Sequence, residues 1–232
     1  MPLSKRLSLA FELLRVYGTA ADIGCDHGKL AAALAKEPGV RKVVAADISE
    51  PSLQKTRLLA ERLHLADKID CRLGDGLGVL ASGECEAAAV LGLGGEVMAG
   101  MLMDAAPVAE KLSCLVLQPM SGVEEIRAFL YENGWSVKTD ALAAENGRIF
   151  QLFSVQYTGV RDSWPAGFPE GCFTVGYRCF EKGDPLLGTL CSRQIAVRRR
   201  KIGEANGSEG VIKLEKELRA LENILAQCEN QA

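Results

Sequence analysis

A chain of 232 residues, 48% hydrophobic and 25% charged, can bury one sizeable α/β core with an appendage. Its net charge of −3 argues against a partner bound by bulk positive charge alone, and its longest apolar run, Ala87 to Gly95, is too short to span a membrane. The eight cysteines form no C-x-x-C pair and have only His27 and His64 for company, so no metal centre is expected. The thiols read as reduced packing residues of a cytoplasmic protein, and Met1 to Arg6 carries no apolar signal core.

After a short amphipathic helix, Ala20-Ala21-Asp22-Ile23-Gly24-Cys25-Asp26-His27-Gly28 is a small-apolar run that ends in an acid and turns on glycine. It opens onto the helical pattern Lys29 to Ala35. Strand, glycine turn and helix are the first unit of a nucleotide-cofactor sheet. A dinucleotide site places pyrophosphate against bare backbone in G-x-G-x-x-G. Here the spacing is Gly24-x-x-x-Gly28, with Asp26 where an anion would approach and Asp22 just before the turn. Two carboxylates repel phosphate and suit a cofactor bearing sulfonium and ammonium groups, which points to S-adenosyl-L-methionine.

Further strands are expected at Lys42–Asp47, Lys68–Leu73, Glu86–Leu91 and Cys114–Gln118, the last stopped by Pro119. Helices are expected at about 51–65, 96–103 and 124–132, with Gly92-Leu93-Gly94-Gly95 as a turn. Trp135–Leu142 and Ile149–Tyr157 read as an antiparallel edge pair joined by Ala143 to Arg148. Apolar strands crossed by helices imply an α/β, Rossmann-like, doubly wound sheet of seven strands. Residues 1–158 are read as this domain and 159–232 as a second unit. Across the junction, Thr158 to Phe180 is a Gly/Pro-rich linker. Pro185–Gly203 and Glu209–Gln227 form an α-helical hairpin with a coiled-coil-like seam over Val211, Ile212, Leu214, Leu218, Leu221, Ile224 and Leu225. Ala205-Asn206-Gly207-Ser208 is its turn.

Strand-end acids are the candidate cofactor ligands. Asp47, with Ile48 beside it, is placed to accept from ribose hydroxyls, and Asp75, with Gly76, from an adenine amino group. Asp22, Gly24 and Gly92 complete the set; capping and turn formation are the alternative roles. No Asn-Pro-Pro-Tyr-like turn follows the fourth strand, so a ring nitrogen is favoured over an exocyclic amine as methyl acceptor, with Asp26 stabilising charge on the base. His27 orients Asp26, stacks on substrate, or caps the next helix. Residues 1–160 hold 16 basic and 20 acidic side chains, against 11 and 10 in 161–232. Arg198, Arg199, Arg200 and Lys201 follow one another without an acid, as a phosphate-binding patch or a solvated helix face.

Ser4-Lys5-Arg6-Leu7, the Asp26-His27 turn, Arg72-Leu73-Gly74-Asp75-Gly76-Leu77, Gly92-Leu93-Gly94-Gly95, Leu117-Gln118-Pro119 and Glu145-Asn146-Gly147-Arg148 also occur together. In these the chain resembles the bacterial tRNA (adenine(22)-N(1))-methyltransferases over about its first 155 residues. The resemblance implies a class I methyltransferase sheet with a C-terminal coiled-coil extension, S-adenosyl-L-methionine as cofactor and tRNA as partner. On the charge pattern, Arg6 and Lys5 extend the candidate RNA-binding patch, and no membrane, metal or obligate protein partner is expected. Cys25, Leu93, Met120 and Phe150 stand where that family usually has serine, methionine, asparagine and tyrosine. A small-molecule methyltransferase and a silent RNA-binding protein on the same fold are the alternatives.

Overall fold

In the computed structural model, which describes residues 2–204 and 208–231, seven strands form one sheet in the order β3-β2-β1-β4-β5-β7-β6. They are β1 Thr19–Ile23, β2 Lys42–Asp47, β3 Ile69–Leu73, β4 Ala87–Gly94, β5 Cys114–Ser121, β6 Trp135–Glu145 and β7 Arg148–Tyr157. β1 to β5 pair in parallel and β7 runs antiparallel to both its neighbours. The central strands are apolar throughout because both faces are covered. Ala20, Val43 and Ala87 pack under α1 (Lys5–Leu14), α2 (Lys29–Lys36) and α3 (Glu50–Arg62). Their neighbours Ala21, Val44 and Ala88 face α4 (Gly95–Asp104), the one-turn α5 (Ala106–Ala109) and α6 (Val123–Glu132).

Three boundaries differ from expectation. β4 continues through Leu93 and Gly94, with register shifts against β5 and Gly92 at φ 83°, so the glycines form an irregularity within the strand rather than a turn. β5 runs on through Pro119, which pairs opposite Leu93 in that irregular stretch, where a missing N–H is tolerated. The β6–β7 connection shrinks to Asn146-Gly147, both at positive φ, as a two-residue hairpin turn requires. At Gly95 a Cβ would lie 1.7 Å from the Gly122 carbonyl oxygen, so only glycine lets α4 start against the β5–α6 loop.

The expected linker is in part a packed aromatic layer. Trp164 and Phe168 stack, Phe173 adjoins Trp164, and Tyr177 and Phe180 of α7 (Tyr177–Glu181) close the cluster. Helices α8 (Leu187–Glu204) and α9 (Ser208–Gln231) form the hairpin, while residues 205–207 of its expected turn lie outside the described residues. Leu187, Leu190, Cys191, Ile195, Leu221 and Ile224 share one core with Leu115 and Phe153 of the sheet. Ile212, assigned to the apolar seam, is 67% exposed because α9 turns that face outward.

Candidate functional site

Connections leave β1 and β4 toward opposite faces of the sheet, opening a crevice at their carboxyl ends. A cleft of about 840 Å³ occupies this position. Asp22, Gly24, Asp26, His27, Asp47, Ile48, Asp75, Gly76 and Gly92 all line it, although they come from four different strand ends. Arg6 reaches the same cleft from α1.

The β1–α2 turn is built around its backbone. Gly24 and Cys25 donate their N–H groups to the Ala46 carbonyl at 2.8 and 3.0 Å, which ties the turn to β2. Gly24 sits at φ 74° with nothing within 4 Å of where a Cβ would stand, leaving bare backbone facing open space. Asp26, at φ 47°, donates its N–H to Asp47 Oδ2 at 3.0 Å, while Asp47 Oδ1 accepts from Ser49 N–H at 2.9 Å. His27 Nδ1 lies 2.5 Å from Asp26 Oδ2, both side chains being more than half exposed. Asp22 is buried and accepts from Ala31 N–H at 3.2 Å. Burial first, then the charges of Asp47 and Asp26, raise its carboxyl to about 7. Burial likewise pushes the neighbouring Cys25 thiol up to about 12, so it is no thiolate nucleophile.

On the opposite wall, Arg6 Nη1 donates to Gln118 Oε1 at 2.7 Å and the guanidinium lies 5.6 Å from the Phe150 ring centroid. Gln118 is fully buried, and its Nε2 donates to the Pro119 carbonyl at 2.7 Å. Glu145 and Met120 line this wall too. Sequence reasoning assigned no role to Gln118 or Glu145; the available signals were a polar residue inside an apolar strand and an acid at a strand end before Asn-Gly.

The basic run of α8 divides. Arg199 and Arg200 are 65% and 70% exposed, each facing one acid of the hairpin, Glu222 at 2.8 Å and Glu204 at 4.0 Å, and Lys201 is exposed. Arg198 does not join them. Its side chain is only 5% exposed and pairs with Glu124 of α6 and Glu217 of α9, so the expectation that it contacts RNA phosphate is corrected. One helical position turns a side chain by about 100°, and Arg198 falls on the stripe of Cys191 and Ile195. None of the α8 cluster lines the cleft, but Arg193 of the same helix donates to the Gly147 carbonyl at 2.9 Å, which brings α8 to the β6–β7 turn beside Glu145.

Among the described residues no group of three or more His, Cys, Asp or Glu side chains is placed to hold a metal ion, and no helix is long and apolar enough to cross a membrane.

The methyltransferase-domain family model matches residues 3–153. The chain is 28% identical over 163 residues to the tRNA (adenine(22)-N(1))-methyltransferase of Bacillus subtilis strain 168, covering 70% of this chain and 68% of that protein. In fold it is similar to the crystal structure of the B. subtilis m1A22 tRNA methyltransferase TrmK, with a TM-score of 0.85, 23% identity and 97% and 99% of the two chains covered. A Streptococcus pneumoniae putative tRNA (m1A22) methyltransferase, in complex with S-adenosyl-L-methionine, gives a TM-score of 0.81 at 20% identity, covering 97% of this chain and all of that one.

Proposed function

The chain belongs to the methyltransferase-domain family, and from that membership together with its likeness to the B. subtilis tRNA (adenine(22)-N(1))-methyltransferase we infer that it is an S-adenosyl-L-methionine-dependent tRNA methyltransferase that forms N1-methyladenosine, at position 22. The observation that carries the reading is the cleft at the β1/β4 switch point, lined by strand-end carboxylates and open over Gly24. Its donor set fits the cofactor. Asp47 and Asp75 would hold ribose and adenine, as acceptors for hydroxyl and amino donors. The acids around Asp22 favour a cationic ligand over a phosphate. When bound, the cofactor supplies the methyl group as an electrophile.

Adenine N1 lies on the Watson–Crick edge, so a paired target must be flipped out before it can enter the cleft. N1 attacks with its own lone pair, and the chain need supply no covalent nucleophile. What remains is orientation and electrostatics. Asp26 would stabilise the positive charge that develops on the ring, with His27 fixing its carboxylate. Arg199, Arg200 and Lys201 would hold tRNA phosphates, with Arg6 contacting RNA at the cleft itself. Such a hairpin has no evident use in a small-molecule methyltransferase. A cytoplasmic location accords with a tRNA substrate.

Incubation with bulk tRNA and methyl-labelled S-adenosyl-L-methionine, followed by nucleoside analysis, tests the reading. Label in N1-methyladenosine is the expected result; label in another nucleoside, or none, contradicts it.

A further inference from the structure

We propose that Glu145 selects the target base by accepting a hydrogen bond from the exocyclic amino group of adenine, an inference that rests on the activity proposed above. Glu145 is the last residue of β6, held opposite Arg148 across the two-residue turn. It lines the cleft on the wall away from the β1–α2 turn, together with Arg6, Leu93 and Met120. The carboxylate is half-buried yet enters no ion pair among the described residues. Its one hydrogen bond, from the Arg6 backbone N–H, is long at 3.4 Å.

Arg148, opposite Glu145 across the turn, is exposed and forms no ion pair with it among the described residues, and the Arg6 guanidinium is held elsewhere. The Arg6 guanidinium is spent on Gln118 and lies over Phe150, and the Gln118 amide is itself locked by the Pro119 carbonyl. The guanidinium is thus bonded to Gln118 and forms no ion pair with Glu145. A partly desolvated carboxylate is an acceptor only, and it requires donors.

Adenine offers one beside N1. Guanine and hypoxanthine carry a carbonyl oxygen at the same place, which a carboxylate repels. Methylation at N1 makes the amino group more acidic, so the same hydrogen bond strengthens as charge develops on the ring. Glu145 should therefore act more on kcat than on KM.

The experiment pairs a protein change with a substrate change. Two tRNA transcripts carry either adenine or unsubstituted purine, which lacks the amino group, at the methylated position. Single-turnover rates are measured for wild type, Glu145→Ala and Glu145→Gln, with cofactor affinity followed by calorimetry. Glu145→Ala should cost about 10²-fold on the adenine transcript and less than about threefold on the purine transcript. Glu145→Gln, which keeps a neutral acceptor oxygen, should lose roughly tenfold on adenine alone. Cofactor affinity should not move. Equal losses on both transcripts overturn the proposal, because a structural defect ignores the amino group. Should Glu145→Ala fail to fold, Glu145→Gln on the same two transcripts decides between the same two outcomes. Failure of the wild-type protein to methylate the adenine transcript refutes the underlying activity, and is told apart by needing no variant.

Discussion

Asp22, near the end of β1, and Asp26, in the turn that follows, stand four residues apart, yet burial gives them different tasks. The Asp22 carboxyl, raised to about 7, keeps a proton in the folded protein that the unfolded chain has lost above the usual carboxylate range near 3.8. Its neutral form is what the fold prefers. Stability from this group is therefore full below about pH 4 and falls as pH rises toward 7. Asp22→Asn keeps an acceptor for the Ala31 N–H and removes the penalty. The ligand-free variant should gain stability over wild type by at least about 1 kcal/mol more at pH 8 than at pH 5, read from denaturant melts at both pH values. A difference independent of pH would show that Asp22 titrates normally. Asp26 is exposed and lines the cleft beside His27. Asp26→Asn retains a contact for His27 and loses the charge, so single-turnover methylation should slow by roughly 10²-fold with tRNA affinity little changed. An intact rate in that variant would leave orientation alone to explain catalysis.

Helix α8 shows how one run of charge can hold two kinds of arginine. Replacing Arg198 by alanine would strand Glu124 and Glu217 in a half-buried seam where Thr174 is the other partner, at a cost of about 3–5 kcal/mol. Neutralising Arg199, Arg200 and Lys201 together should leave the melting temperature nearly unchanged, since exposed pairs contribute little. The same triple variant should flatten the salt dependence of tRNA binding by up to about three units of slope, measured by titration across salt concentrations, with cofactor affinity unmoved. An unaltered slope would make this face merely solvated. Elements of this kind were legible where periodicity alone decides them: β2 and α6 fall within one residue of the ranges read from the chain. The ends of β4 and β5 were not legible. Gly92 and Pro119 carry the same local signal whether they stop a strand or form an irregularity within it, and only the neighbouring strand chooses. Asp22, Asp47 and Asp75 were readable because each stands at or close to the end of a strand that the pattern predicts, whereas the meeting of Arg6, Gln118 and Glu145 rests on contacts 112 and 139 residues apart that no local pattern encodes.

At the scale of the molecule, the hairpin and the sheet are joined by one apolar core and by polar bonds across the seam. Asp140 of β6 accepts the Arg178 N–H at 3.1 Å, Gln151 donates to the Thr174 carbonyl, and Arg198 ties α8 to α6. Charge does not divide the chain, because 27 basic and 30 acidic residues are spread over both parts. What does distinguish the C-terminal part is that its segments interleave with the sheet: the aromatic layer around Trp164 leans on Tyr131 of α6, and Leu221 and Ile224 of α9 reach the cluster that holds Phe153. Unfolding should therefore be a single cooperative transition, in which near-ultraviolet and far-ultraviolet circular dichroism melt together. Removing α9 by ending the chain at Glu204 tests the same point from the other side. It deletes two fully buried aliphatic side chains and a salt-bridge partner of Arg198. Each large apolar loss costs about 2–5 kcal/mol, and at about 2–4 °C per kcal/mol for a chain of this size the melting temperature should fall by more than about 10 °C. Two separate transitions in the full chain, with the first unchanged after truncation, would instead make the hairpin an independent domain carried by the sheet.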